Sequence, residues 1–102
     1  MPKEPLDGST AKKVIRAALA DGRTNISGHF KKRLKDRDIT MQDAVTVLKK
    51  GVGVRTEMDI QTGYWKYTVT GSGIDQNPVT VVVNIFLEEN KIRLITVFSD
   101  EK

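Results

Sequence analysis

The chain contains no cysteine, so no disulfide framework, thiolate zinc site or cysteine nucleophile is open to it. That absence fits a reducing compartment, and the expected location is the cytoplasm. Long apolar runs are missing too. The longest, Val79 to Leu87, is interrupted by Thr80 and Asn84 and falls far short of the roughly 20 residues that span a bilayer. No membrane association is expected. The first ten residues carry Pro2, Lys3, Glu4, Pro5 and Asp7 without the apolar core of a secretory signal, so nothing marks them for export. Internal repeats and low-complexity tracts are absent, and His29 is the single histidine.

What is present is an ordinary globular composition on a short chain. The 102 residues, 38% of them hydrophobic, suffice for one modest core and exclude two independent domains. The expected organisation is a flexible leader over residues 1–8, one domain over 9–98 and a charged tail over 99–102. The net charge of +4 is unevenly placed. Residues 1–50 hold 12 Lys and Arg against 6 Asp and Glu, and residues 51–102 hold 5 against 7, giving +6 and −2. A basic half concentrates polyanions such as RNA or DNA, or an acidic protein, without choosing among them.

Periodicity divides the chain in the same place. Ala11, Val14, Ile15, Ala18 and Leu19 recur at helical spacing, after Ser9 and Thr10 as caps and before Gly22 as terminator. A second helix is predicted from Ser27 or Gly28 to Arg37, with Phe30 and Leu34 on its buried stripe. A third starts at Thr40, where Thr40 and Asp43 form a capping box, and runs through Met41, Ala44, Val45 and Leu48 to Gly51. Beyond Gly51 the period falls to two and β-branched and aromatic residues take over. Strands are predicted over Val52–Glu57, Tyr64–Thr70, Val79–Leu87 and Ile92–Phe98. The third of these is the most apolar and is expected at the centre of the sheet. The expected fold is α+β, in the order α-α-α-β-β-β-β. Its helices pack on one face of a four-stranded antiparallel sheet and leave the other face free to bind.

On the second helix, His29, Arg33 and Arg37 fall four apart and form one ridge. Each advances about 40° round the axis, whereas Phe30 and Leu34 lie about 100° and 140° from His29. The ridge therefore borders the buried stripe, and its members are expected to be partly covered. One reading makes them structural, with His29 packed at a helix start and the arginines anchoring carboxylates or carbonyls. The other makes them a phosphate clamp, since guanidinium groups pair bidentately with phosphate oxygens. Lys31, Lys32 and Lys35 point elsewhere and suit solubility, with Lys32 a candidate for steering substrate in. Trp65, Tyr67 and Val69 share the core face of their strand, which leaves Lys66 and Tyr64 on the opposite face. Tyr64 is then the better candidate for stacking on a base. Glu57, Asp59 and Asp75 show no metal-ligand spacing, so neither a dedicated metal site nor a cofactor is expected. Gly71-Ser72-Gly73 lacks the lysine and following helix of a phosphate loop.

The run His29-x-x-x-Arg33-x-x-x-Arg37-x-Ile39, then Asp43, Val45, Leu48 and Gly51, precedes Tyr64-Trp65-Lys66-Tyr67-x-Val69 and a closing Ile95-Thr96-Val97-Phe98. Over about residues 10–98 this pattern resembles the bacterial domain-of-unknown-function family DUF4258. That family is thought to be related to the RelE/ParE-like toxins of the barnase-like ribonuclease group, so the resemblance implies an RNA-directed activity. A metal-independent endoribonuclease must take a proton from a 2′-hydroxyl, return one to the leaving 5′-oxygen and stabilise the phosphorane between. Imidazole suits the proton transfer. His29, Arg33 and Arg37 are thus the expected catalytic set, with Lys66 as a second cation or proton donor and Thr96 and Tyr64 as substrate contacts. An acidic antitoxin-like protein is the partner this reading implies. The alternative is a non-enzymatic interaction module, immunity-type or regulatory, whose basic face binds an acidic protein.

Overall fold

The computed structural model describes residues 6–51, 53–74 and 76–99. Val52 and Asp75, the first five residues and the last three lie outside them, and with them most of the expected leader and tail. The elements run α1 (Gly8–Ala20), β1 (Thr24–Ile26), α2 (Gly28–Asp36), α3 (Met41–Lys50), β2 (Gly53–Met58), β3 (Trp65–Ser72), β4 (Pro78–Phe86) and β5 (Lys91–Ser99). A single 3-10 turn, Leu87–Glu89, joins β4 to β5.

The helices begin where short polar side chains can satisfy free amides. The cap of α1 is Asp7, whose Oδ1 accepts from the Thr10 N–H at 2.7 Å, so the helix starts two to three residues ahead of the caps expected at Ser9 and Thr10. The Thr10 amide holds the Asp7 carboxyl below its usual range. Ser27 caps α2 as expected, and Thr40 with Asp43 forms the capping box of α3. Gly22, at φ +69°, takes the left-handed turn that ends α1.

The sheet corrects the expected architecture. It has five strands in the order β1-β5-β4-β3-β2, and it is mixed rather than antiparallel throughout. The additional strand, β1, pairs parallel with β5 through Thr24 and Ile92, Asn25 and Arg93, Ile26 and Leu94. Three residues are too few to show a period of two, and only the distant β5 makes them a strand. The other pairs are antiparallel, and β4 is central as its composition implies. Between β4 and β5 the register slips: Val82 opposes Thr96 and Val83 opposes Leu94, which leaves Ile95 as an extra residue in a β-bulge.

One face of this sheet carries the core. Tyr67, Val69, Val79, Val81, Val83, Ile92, Leu94 and Val97 point into it and meet Ala11, Ile15, Ala18, Phe30, Ala44, Val47 and Leu48 from the three helices. Trp65 is half-buried against the same cluster, and the Tyr67 hydroxyl accepts from the Leu6 N–H at 3.0 Å, so both aromatics are structural. The end of α3 approaches β3 so closely that a Cβ on Gly51 would sit 2.5 Å from the Val47 carbonyl oxygen and 2.6 Å from Val69 Cγ1. No side chain fits there.

Asp43 does more than cap its helix. Its Oδ2 accepts from the Thr40 N–H and hydroxyl, while its Oδ1 accepts from the Ile74 N–H at 2.9 Å and so fastens the β3–β4 loop to the start of α3. These donors, the Ile74 amide foremost, hold the carboxyl below its usual range. A carboxylate with a lowered folded value adds stability above its unfolded value of about 3.9 and loses it as pH falls through the folded value. Asp43→Asn is therefore expected to be about 1 kcal/mol less stable at neutral pH. Its stability should also fall less steeply than the wild type's below about pH 4. Denaturant melts across that range check both, and equal acid slopes would remove Asp43 from the account.

Candidate functional site

The side chains proposed to carry chemistry come from two places, the exposed rim of α2 and the face of the sheet that no helix covers. On α2, Ser27 organises the start. Its Oγ accepts from the Phe30 N–H at 3.0 Å and donates to the Ile95 carbonyl at 3.0 Å, while its own N–H donates to the Leu94 carbonyl. The first turn of α2 is thereby pinned to the bulge in β5. The bulge residue Ile95 directly precedes Thr96, and His29 lies two residues past Ser27.

His29 and Arg33 do meet. Arg33 Nε lies 3.5 Å from His29 Nε2, at the long end of a hydrogen bond. An Arg N–H can only donate, so in this contact the guanidinium is the donor and the imidazole nitrogen the acceptor. The ridge is less sheltered than its position beside Phe30 implies. Arg33 is half-buried, but His29 and Arg37 are exposed, because Phe30 alone is fully buried on this short helix. Arg37 is the C-cap, so the row ends as the helix does. Lys32 is exposed.

The uncovered sheet face is organised in rows fixed by strand register. Glu57, Lys66, Asn84, Arg93 and Asn25 form one row across all five strands. Arg55, Thr68, Val82 and Thr96 form the next. Thr68, Thr80, Val82 and Asn84, in the middle of this face, are buried. Asn84 Nδ2 donates to the Trp65 carbonyl at 2.9 Å, which fixes the amide at the centre of its row. Lys66 is half-buried and Thr96 likewise, but they stand on β3 and β5, two strand spacings or roughly 10 Å apart. Tyr64 is 48% exposed, and its ring meets Phe86 edge-on at 5.1 Å, which leaves a face free at one end. The expected set thus divides into His29 and Arg33 beside the bulge that precedes Thr96, and Lys66 in the polar row. Arg93 and Asn84 in that row escaped sequence reasoning. The alternation Lys91, Ile92, Arg93, Leu94 would have put Arg93 on the Lys66 face once β5 was set beside β4.

Among the described residues, none of Arg33, Arg37, Lys66 and Arg93 forms an ion pair. Nor do three or more His, Asp or Glu gather there as metal ligands would. No helix among them is long and apolar enough to cross a membrane.

Residues 26–99, which run from the end of β1 through β5 and include the α2 ridge, match a family described as a domain of unknown function, DUF4258. The chain belongs to the DUF4258 family. No curated protein matches it. The DUF4258 match leaves out most of β1 and all of α1, so α1 packs onto the family's core from outside the matched segment.

Ser27 serves both the helix and the bulge, so its removal tests whether the ridge depends on that tie. Ser27→Ala is expected to cost about 1 to 2 kcal/mol in urea denaturation. Wild-type stability in this variant would show the bond to Ile95 to be incidental.

Proposed function

We propose that this DUF4258 domain is an RNA-directed, toxin-like protein and a metal-independent endoribonuclease, with His29 and Arg33 at the reacting phosphodiester. The observation that supports it is the His29–Arg33 contact, an imidazole nitrogen 3.5 Å from a guanidinium that forms no ion pair among the described residues, on the rim of a basic helix. In the proposed step the RNA 2′-oxygen bonds to phosphorus and gives its proton to the His29 imidazole. The P–O5′ bond breaks, and the 5′-oxygen takes a proton from water. A 2′,3′-cyclic phosphate and a 5′-hydroxyl remain. Arg33 and Arg37 would stabilise the phosphorane charge, since guanidinium donors match its equatorial oxygens. Lys66 and Arg93 would hold adjoining phosphates, and Tyr64 would stack on a base.

A second reading has its own observation. A groove of about 480 Å³ is lined by Met41, Gln42, Val45, Thr46, Lys49, Lys50 and Ile74, none of them on α2. Ile74 is 51% exposed there. An apolar floor between lysines suits an acidic, partly apolar protein segment, as an interaction module would need.

The two readings separate in one assay with purified protein and labelled single-stranded RNA in EDTA. The enzyme reading expects cleavage, reduced about 100-fold or more in His29→Gln. It also expects RNA affinity to survive in that variant, while Arg33→Ala lowers the slope of log affinity against log salt by about 1. RNA left intact and unbound by the wild type would overturn this reading in favour of the interaction module.

A further inference from the structure

The sheet order ends at β2, so among the described residues no strand pairs with the outer edge of Gly53–Met58. An edge of this kind presents a row of N–H and C=O groups to any chain that can align with it. Proteins often guard such edges with charges of one sign, which repel a second copy. β2 carries Arg55 and Glu57 instead, opposite in sign, two residues apart and both exposed on the uncovered face. Among the described residues neither forms an ion pair.

We propose that β2 pairs antiparallel with β2 of a second copy about Thr56, joining two five-stranded sheets into one of ten strands. Side-chain alternation restricts the register. Directly opposed residues in an antiparallel pair point to the same face. A register in which opposed residue numbers sum to an odd value therefore sets Val54 against Glu57 and puts the two helix layers on opposite sides. Among the even registers, centring on Arg55 or on Glu57 sets like charges against each other across the two-fold axis. Centring on Thr56 sets Arg55 beside Glu57 of the second copy, twice, on the uncovered face. On the helix face it sets the half-buried Val54 beside the 37% exposed Met58, also twice. Opposite-charge and apolar cross-strand pairs both stabilise a sheet, so this register satisfies every contact that the strand can make with itself. The inference is independent of any activity toward RNA.

Sedimentation equilibrium from about 10 µM to about 1 mM should show a monomer–dimer equilibrium. Arg55→Glu alone, or Glu57→Arg alone, should weaken it about tenfold by opposing like charges at two symmetric positions. The double variant R55E/E57R should restore it, since the pairs are re-formed with signs exchanged. A protein monomeric throughout that range overturns the proposal, as does a dimer indifferent to Arg55→Glu or a double variant that fails to recover. A second readout is independent of charge. Because the chain has no cysteine, Thr56→Cys introduces one thiol at the two-fold axis. The opposed Cα atoms there would be about 4.5 to 5.5 Å apart, within reach of a disulfide. Mild oxidation should convert Thr56→Cys to a covalent dimer and leave the turn variant Gln61→Cys monomeric. Equal cross-linking of the two would also overturn the proposal.

Discussion

The alternation of β4 is the constraint on which the rest of the molecule depends. Val79, Val81 and Val83 point one way, into the core that the three helices share, while Thr80, Val82 and Asn84 point the other way. A strand in the middle of five has no edge at which to relieve a misfit, so its two faces set the two faces of the whole sheet. The covered face is consequently apolar through the middle of the sheet, with Thr24 and Thr56 on its two edge strands. The uncovered face gathers the polar row from Glu57 to Asn25, whose members adjoin because the register of every strand pair is fixed.

The position of α2 follows from the same frame. β1 is only three residues long, so beyond Leu94 the edge of β5 has no strand beside it, and α2 begins there. Ser27 closes the junction with one hydroxyl that accepts from the helix and donates to the bulge, while Phe30 supplies the one fully buried side chain of the helix. A nine-residue helix with a single such anchor keeps most of its surface in solvent. Its basic residues are accordingly on display, with Arg33 alone partly enclosed.

Most local signals were legible in the sequence, the Asp7 cap of α1 being the exception, and distant ones were not. The capping box at Thr40 and Asp43, the cap at Ser27 and the left-handed turn at Gly22 each involve neighbours within a few residues, and each stands where the residue types put it. The face assignments of Trp65, Tyr67, Lys66 and Tyr64 also held, because alternation is a property of one strand. Thr24-Asn25-Ile26 was invisible as a strand because its partner lies some 70 residues away. The second bond of Asp43, to the Ile74 amide, is likewise long-range, as is the tie from Ser27 to Ile95. For the candidate site, the spacing of His29 and Arg33 set them on one ridge, and there their side chains meet. Their exposure, and the company Lys66 keeps with Asn84 and Arg93, depended on tertiary pairing.

The place of β5 in the sheet bears on how the molecule is made. It lies between β1 and β4, pairing parallel with one and antiparallel with the other, yet of the five strands it leaves the ribosome last. Until it emerges, β1 has no neighbour and one flank of β4 is bare. The hairpins from β2 to β4 can close early, but the N-terminal strand must wait for contacts that span most of the domain. Such non-local pairing slows folding and prolongs exposure of an apolar strand. A nascent chain stalled before Lys91 would therefore present Val79 to Ile85 as an open, valine-rich edge, the form in which this domain is most exposed to chaperones or to aggregation.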